Sequence, residues 1–366
     1  MFVNKIKLKN FRCFKNNEFN FDSRFVIFQG DNGIGKTSLL EAIYYTCYLK
    51  SFRTRLNKEL PHFESEHFFL QVDFDEHCGE GNSIHVGYSE QDGKIVKFNK
   101  KQILSYKDVT SRFRVISIAQ DDLLLVTGSP DYRRAYLNQS LFLLDSNFMQ
   151  NLKKYKQVLD HRNSFLAINA PSLLLGKKLQ ELKVWTKQLW EQSITLQRSR
   201  VKFLKDIEVR VNSLLNKYFD DKIGQILLKY LPRNIDLSHD FDGFWGFYEK
   251  NVLSKECKFC RGFFGAHLDD FTITLSDKRA RVFASRGQQK MVLFLLKIVQ
   301  LQMLQQEGEP GVLLLDDFLT DFDQNRLTCF LNVLKDMNNQ VFLTSPLRSF
   351  LDFETPFQGD FQLIKM

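Results

Sequence analysis

The chain has no apolar run long enough to cross a membrane as a helix; stretches such as MVLFLL at 291–296 stop far short of the ~20 residues a span needs. No basic-then-apolar leader ending in small residues opens it, so the expected location is the cytoplasm, with no membrane partner. Six cysteines, at 13, 47, 78, 257, 260 and 329, are too scattered for a disulfide framework and read as reduced thiols. Cys257 and Cys260 form the only C-x-x-C pair, and no second pair or matching histidines complete a four-ligand zinc site. Internal repeats and low-complexity tracts are missing too, which sets repeat architectures aside.

What is present is a chain of 366 residues, 43% hydrophobic, long enough for two domains with cores of their own. A net charge of +8 favours a polyanionic partner such as nucleic acid, although lysine-rich solvated faces give the same balance. The 36 phenylalanines are many for this length.

The first 120 residues read as strand-rich α/β structure. Period-two alternation runs through Ile6 and Leu8 and again through Phe19 and Phe21, and FVIF at 25–28 is the solid run of a strand buried on both faces. Further strands are predicted at 67–74, 83–89, 94–99 and 114–119. After Gly128-Ser129-Pro130 the apolar period lengthens to between three and four. Leu152, Tyr155, Leu159 and Leu166 sit on a heptad frame with Arg162 at the missing step. A break at INAPS (168–172) precedes a second helix carrying Leu182, Trp185, Leu189 and Leu196. After a register shift, that helix continues through Leu204, Ile207, Val211, Leu214 and Tyr218. Two long helices around a tight break predict an antiparallel pair, either a projecting arm or the core of a helical domain. Strand character returns at 270–277, 311–317 and 340–345. The order α/β, helical, α/β predicts one parallel-sheet domain split by a helical insertion: 1–128, then 129–260, then 261–366.

FVIFQGDNGIGKTS carries the chemistry. Gly30 to Thr37 satisfies G-x-x-x-x-G-K-[ST] between a strand and the helix SLLEAIYYTCYL. Gly30, Asp31, Asn32, Gly33, Ile34 and Gly35 let backbone N–H groups converge on phosphate oxygens, and the helix aims its N-terminal dipole at them. Lys36 would meet the β- and γ-phosphates of ATP, and Thr37 would ligate Mg²⁺. VLLLDD supplies the acidic partner: Asp316 for the metal site, and Asp317 where a base could orient the attacking water. Lys36 and Asp316 stand much farther apart than a minimal nucleotide-binding core requires, which supports the insertion. Ser285-Arg286-Gly287-Gln288-Gln289-Lys290 opens another apolar helix. It reads either as a simple helix cap or as a second anion site, one that completes the nucleotide site of a second subunit.

With these residues assembled, the chain resembles the RecF family of SMC- and ABC-type ATPases along its whole length. The resemblance rests on KLKNFRCF, GDNGIGKTSLLEAIY, SFRT at 51–54, SPDYRRAYLNQSLF at 129–142 and YKQVLDHRNSFL. It continues through GAHLDD at 265–270, SRGQQK at 285–290 and LLLDDFLTDFD at 313–323. It implies an ABC/SMC-type P-loop head with an inserted helical arm, and a weak, DNA-stimulated, Mg-dependent ATPase. It further implies an ATP-dependent homodimer on double-stranded DNA at gaps and single-strand/double-strand junctions, aiding recombinase loading with RecR- and RecO-like partners. On the same basis Gly30 to Ser38 is the Walker A loop, Asp316 the Walker B aspartate and Asp317 the catalytic acid. Ser285, Arg286, Gly287 and Gln288 are the signature acting in trans, and Leu319 to Asp323 the D-loop. Arg12 resembles an arginine that approaches nucleotide phosphates, and Gln120 a Q-loop glutamine.

There are departures. GAHLDD lacks the family's usual proline and arginine, and His267 reads as a buried, hydrogen-bonded residue rather than a catalytic one. Thr320, Asp321 and Phe322 stand where serine, glutamate and leucine are usual. Lys153, Lys154, Lys156, Lys177, Lys178, Arg198, Arg200, Lys202 and Lys205 are candidate phosphate contacts of the helical part, each also readable as a solvated face. The other reading is an ABC-type ATPase serving a partner such as a membrane transporter. Against it stand the helical insertion and the strand QVFLTS, which ends in Thr344 and Ser345 without a switch histidine. An appended nuclease domain is not expected in the short stretch after Asp317.

Overall fold

The structure, a computed structural model, describes residues 2–75, 81–103, 113–145, 147–219, 223–236, 240–305, 311–319, 322–345 and 360–366. Cys78, Thr320 and Asp321 lie outside the described residues. In chain order the longer helices are α1 (Lys36–Tyr48), α2 (Pro130–Leu144), α3 (Phe148–Leu174), α4 (Leu179–Tyr218), α5 (Phe241–Asn251), α6 (Leu253–Phe259), α7 (Arg286–Leu304) and α8 (Gln324–Lys335). The chain forms two compact units, one of Met1–Leu123, Leu214–Asp220 and Leu293–Met366, the other of Leu124–Ser213 and Asp221–Val292.

The first unit holds two sheets. The antiparallel one, in the order β2-β1-β4-β5-β6-β7, is built from β1 (Phe2–Phe11), β2 (Phe14–Asn20), β4 (His67–Asp75), β5 (Asn82–Ser89), β6 (Gly93–Phe98) and β7 (Lys101–Gln102). In β4 the alternation of HFFLQVDF buries Phe68, Leu70, Val72 and Phe74 on one face, as period two requires. The parallel sheet, in the order β14-β3-β13-β12-β8, is built from β3 (Phe25–Gln29), β8 (Val115–Ile118), β12 (Val312–Leu315), β13 (Gln340–Ser345) and β14 (Phe361–Lys365). Its inner strands are apolar runs buried at every position. Gln340 joins the sheets: its side chain accepts from Val3 N–H at 2.7 Å and donates to Val3 O at 3.0 Å. Helix α1 touches strands of both sheets, and every residue of it but Thr37 is buried. That explains why its apolar residues, from Leu39 to Tyr48, do not keep to one stripe.

The second unit is helical, with a small antiparallel sheet of β9 (Ile226–Leu231), β10 (Asp270–Leu275) and β11 (Lys278–Arg279) in the order β11-β10-β9. Pairing of β10 with β9 gathers the chain up to Val292 into this unit, where the sequence reading counted everything from 261 with the C-terminal head. Helices α3 and α4 run antiparallel, since Arg162 bonds Thr186 at 3.1 Å while Asn169 meets Lys178 at 2.8 Å. The break between them is not at 168–172. Pro171 lies inside α3, and the chain turns at Leu175–Lys178, where Gly176 (φ 75) and Lys178 (φ 60) adopt left-handed backbone. Because Pro171 falls in the last turn, its missing N–H removes a backbone bond near the helix end and does not kink its middle.

The register shift in α4 also disappears. The buried stripe runs Leu196, Arg200, Leu204, Ile207, Val211 without interruption, its gap filled by an arginine 2% exposed. Arg162 likewise occupies the gap in α3 and is 0% exposed. Each guanidinium is held by an acid and a tyrosine. Arg162 Nη2 donates to Glu256 Oε2 at 2.5 Å and to Tyr248 Oη at 2.9 Å, whereas Arg200 donates to Ala266 O at 2.6 Å with Asp269 at 3.8 Å and Tyr230 at 3.3 Å.

Candidate nucleotide-binding site

The phosphate loop crosses from the C-terminal end of β3 to α1, the place where a parallel sheet leaves a crevice for a ligand. Gly35 caps the helix with φ 112, and a Cβ there would lie 2.6 Å from Cys13 Sγ and 2.8 Å from Phe14 Cζ, so only glycine fits. Gly30 is held as closely, by the Ile34 side chain folded beneath it. Asp31, Asn32 and Gly33 face solvent, while Lys36 and Ser38 are buried. Lys36 Nζ donates to Gly30 O at 2.8 Å and Asp31 O at 2.9 Å, which keeps the ammonium on the loop itself.

Sheet order brings the distant acids to this loop. Strand β13 lies between β3 and β12, so Asp316, one residue past β12, comes beside the start of α1. Thr37 Oγ1 donates to Asp316 Oδ1 at 2.7 Å. Thr344, near the end of β13, joins the group: its hydroxyl lies 3.1 Å from Asp316 Oδ1 and 3.2 Å from Asp317 Oδ1 and accepts from Asp317 N–H at 2.7 Å. Asp317 has φ 47, a left-handed backbone that turns its carboxylate out of the strand direction. Burial pushes the Asp316 carboxyl above its usual range, and the Asp317 charge adds to that. The hydrogen bonds from Thr37 and Thr344 and the Arg53 charge pull the other way. A hydroxyl and a carboxylate at this spacing are the hard oxygen donors that suit a small divalent cation.

Thr344 was legible only as the absence of a histidine; its bridging role needs the sheet order. Glu41 was missed outright. Its side chain is fully buried, and Arg12 grips it from two sides, Nε to Oε2 at 2.9 Å and Nη2 to Oε1 at 2.7 Å. Arg12 Nη1 also donates to Glu59 O at 2.8 Å. From SFRT, the Ser51 hydroxyl donates to Glu41 Oε1 and Arg53 Nη1 to Oε2 at 3.5 Å. Arg12 is therefore an anchored partner of Glu41 as well as a neighbour of the loop. Gln120 is exposed just beyond β8, the strand paired with β12.

The signature residues belong to the second unit. Ser285 and Gln288 close a reciprocal cap on α7: Ser285 N–H donates to Gln288 Oε1 at 2.9 Å and Gln288 N–H to Ser285 Oγ at 3.3 Å. The capping reading thus holds in geometry, and it leaves Ser285 and Arg286 exposed, with Gly287, Gln288 and Gln289 half-buried. In the D-loop segment Phe318 and Leu319 are buried, and Asp323 caps α8 by accepting from Arg326 N–H at 2.9 Å.

Other family-like segments serve the second unit's interior. Arg133 forms a two-pronged pair with Asp270 at 2.6 and 3.0 Å, and Arg134 donates to Asp269 O at 2.6 Å, so the YRR segment grips HLDD. His267 is half-buried with Nδ1 2.5 Å from the Tyr155 hydroxyl, and burial followed by the Arg134 charge lowers its pKa to about 4. Cys257 is buried and Cys260 exposed, and no group of three His, Cys, Asp or Glu among the described residues is placed to hold a metal ion. Of the candidate phosphate contacts, Arg200 is withdrawn because it is buried on Asp269. Lys153, Lys154, Lys156, Lys177, Lys178, Arg198, Lys202 and Lys205 are exposed. No helix among the described residues is long and apolar enough to cross a membrane.

A family model described as an AAA domain (AAA_23) matches residues 5–219. The chain is 30% identical over 348 residues to the DNA replication and repair protein RecF of Citrifermentans bemidjiense, spanning 93% of this chain and 92% of that one. A solved structure of the recombination mediator protein RecF with ATP, of the RecFOR pathway, matches with a TM-score of 0.81 at 26% identity, covering 95% of this chain and 93% of that chain. The Smc head domain of Pyrococcus furiosus, solved with part of ScpA, matches with a TM-score of 0.54 at 13% identity, covering 94% and 89%. That last likeness is one of fold, and the architecture is an ABC/SMC-type P-loop ATPase head.

Proposed function

Because the chain belongs to the RecF family, we propose that it is a recombination mediator that binds ATP, closes as a homodimer on double-stranded DNA and helps a recombinase load at gaps and single-strand junctions. The observation that carries this reading is the contact of Thr37 with Asp316, bridged onward by Thr344 to Asp317. It brings a phosphate loop and two acids together within a chain that matches RecF nearly end to end.

The backbone N–H groups of Gly33 to Ser38 would bind the β-phosphate, and Lys36 would exchange its loop carbonyls for phosphate oxygens. Thr37 and Asp316 would hold Mg²⁺, which when bound neutralises charge building on the phosphate oxygens. Asp317, fixed by Thr344, would orient the attacking water and take its proton. Ser285, Arg286, Gly287 and Gln288 would approach the γ-phosphate of a second copy. The exposure of Ser285 and Arg286 at the start of α7 supports this, and it would tie ATP to dimerisation. Hydrolysis would be weak and stimulated by DNA, since closure on DNA would bring the second copy's residues to the site. The exposed lysines of α3 and α4 would contact the duplex backbone without reading bases, and RecR- and RecO-like partners would act on the closed form.

The test compares binding to gapped duplex, intact duplex and single strand, with and without ATP, for wild type and Lys36→Met. ATP should strengthen binding to gapped duplex for wild type only. Binding indifferent to ATP on every substrate would refute the clamp.

A further inference from the structure

Two arginines from segments 41 residues apart by sequence number, Arg12 and Arg53, converge on one carboxylate that no water reaches, since the Glu41 side chain is 0% exposed. A buried carboxylate is expensive unless its oxygens are filled, and here each oxygen takes one bond from Arg12 and one from the SFRT segment. One negative charge thus faces two positive ones, and the Arg53 charge is felt at Asp316 as well.

The two arginines are not held alike. Arg12 has a planar two-pronged grip on Glu41, a third bond to Glu59 O, and a side chain only 20% exposed. Arg53 has one long 3.5 Å contact, is 44% exposed, and lies close enough to Asp316 for its charge to act on that carboxylate. Glu41 itself rises from α1, five residues after Lys36, so whatever it holds is fixed relative to the loop.

We propose that Glu41 is a positioning residue that anchors Arg12 on the phosphate-loop helix and aims the more loosely held Arg53 at the nucleotide's phosphate end. The substrate class is a nucleoside triphosphate, and the inference rests on the nucleotide reading above. Arg12 fills enough of the carboxylate for Arg53 to swing from Glu41 to an entering anion without leaving Glu41 bare. Ser51 keeps the SFRT backbone in place during that exchange, through its hydroxyl bond to Glu41 and by accepting from Arg53 N–H at 2.8 Å and Thr54 N–H at 3.1 Å.

The experiment is a double-mutant cycle of Glu41→Gln and Arg53→Ala on the full chain, reading ATPase KM, kcat and melting temperature, with ATP binding by wild type as the reference. Each single change should lower kcat/KM about tenfold, and the double change should fall well short of the product of the two, because part of what Glu41 does runs through Arg53. Arg53→Ala should leave the melting temperature unchanged, which keeps the cycle readable even where Glu41→Gln folds poorly. An Arg53→Ala protein with wild-type kcat/KM, or two effects that simply multiply, would overturn the proposal. Wild type that bound no ATP would sink the nucleotide reading as well, whereas wild type that bound ATP beside unaffected variants would sink this inference alone.

Discussion

Thr37 and Asp316 are 279 positions apart in the chain and share a 2.7 Å hydrogen bond. The contact exists because Thr37 lies in the first turn of the helix that follows β3 and Asp316 comes just after β12, the two strands that flank β13, and because Thr344 fixes both acids from that middle strand. Thr37→Ala should lower Mg-dependent ATPase kcat by about a hundredfold or more, the scale for losing a group that stabilises transition-state charge. ATP binding measured in EDTA should change far less. Equal losses with and without magnesium would refute a metal role for this hydroxyl.

Asp317→Asn separates binding from chemistry. The amide can still meet Thr344 but cannot take a proton, so ATP affinity should hold while kcat falls by about 10²–10⁴. Single-turnover hydrolysis beside equilibrium binding reads both. A variant that hydrolyses normally would remove Asp317 from the proton-transfer role.

The exposed Ser285 at the start of α7 leads to a test of the second subunit's part. Ser285→Arg should bind ATP with wild-type affinity yet stay monomeric with ATP in light scattering, because a bulky cation replaces the small residue at the turn. An ATP-driven dimer of this variant would end the trans-site proposal.

His267 gives a pH signature. Its folded pKa, about 4, lies below the ordinary 6.5, so the unfolded chain takes up a proton first as pH falls. The stability it supports is present above 6.5 and drains away as pH drops towards 4. Protonation would abolish the acceptor at Nδ1 that faces Tyr155. Between pH 7 and 4.5, wild type should lose about 2 kcal/mol more than His267→Gln, by linkage. Parallel urea-unfolding slopes for the two proteins would contradict this.

Much of the site could be read from the sequence because a phosphate loop is local: glycine conformation, strand and helix all sit within one short stretch. Asp316 was legible for the same reason, an apolar strand ending in acids. Glu41 and Thr344 were not, since neither stands out from its neighbours until folding brings Arg12, Arg53 and β12 to them. In the helical unit, period reading kept Arg162 in the frame of its helix but failed at Arg200, where it placed a register shift. Hydrophobic pattern treats an arginine as an interruption, whereas the structure treats each as a buried position with its acid supplied from elsewhere.

Those acids make a stability prediction. Arg162→Met leaves Glu256 buried with the Tyr248 hydroxyl and Phe263 N–H as its hydrogen-bond donors, and should cost about 3–5 kcal/mol in urea unfolding. Adding Glu256→Gln should recover part of that loss. A double variant weaker than the single one would show that the charge on Glu256 is stabilised by something other than Arg162.

The order of strands in the parallel sheet also governs how the protein is made. Strand β3, with FVIF and the phosphate loop, leaves the ribosome early, but its partner β13 emerges only after residue 340. At ordinary synthesis rates that is a wait of roughly 15–60 s with a wholly apolar strand unpaired, while most of the helical unit, lying before residue 293, has already been made. The nucleotide site is thus among the last parts of a nascent chain to form, and its earliest segment is the one most in need of a chaperone.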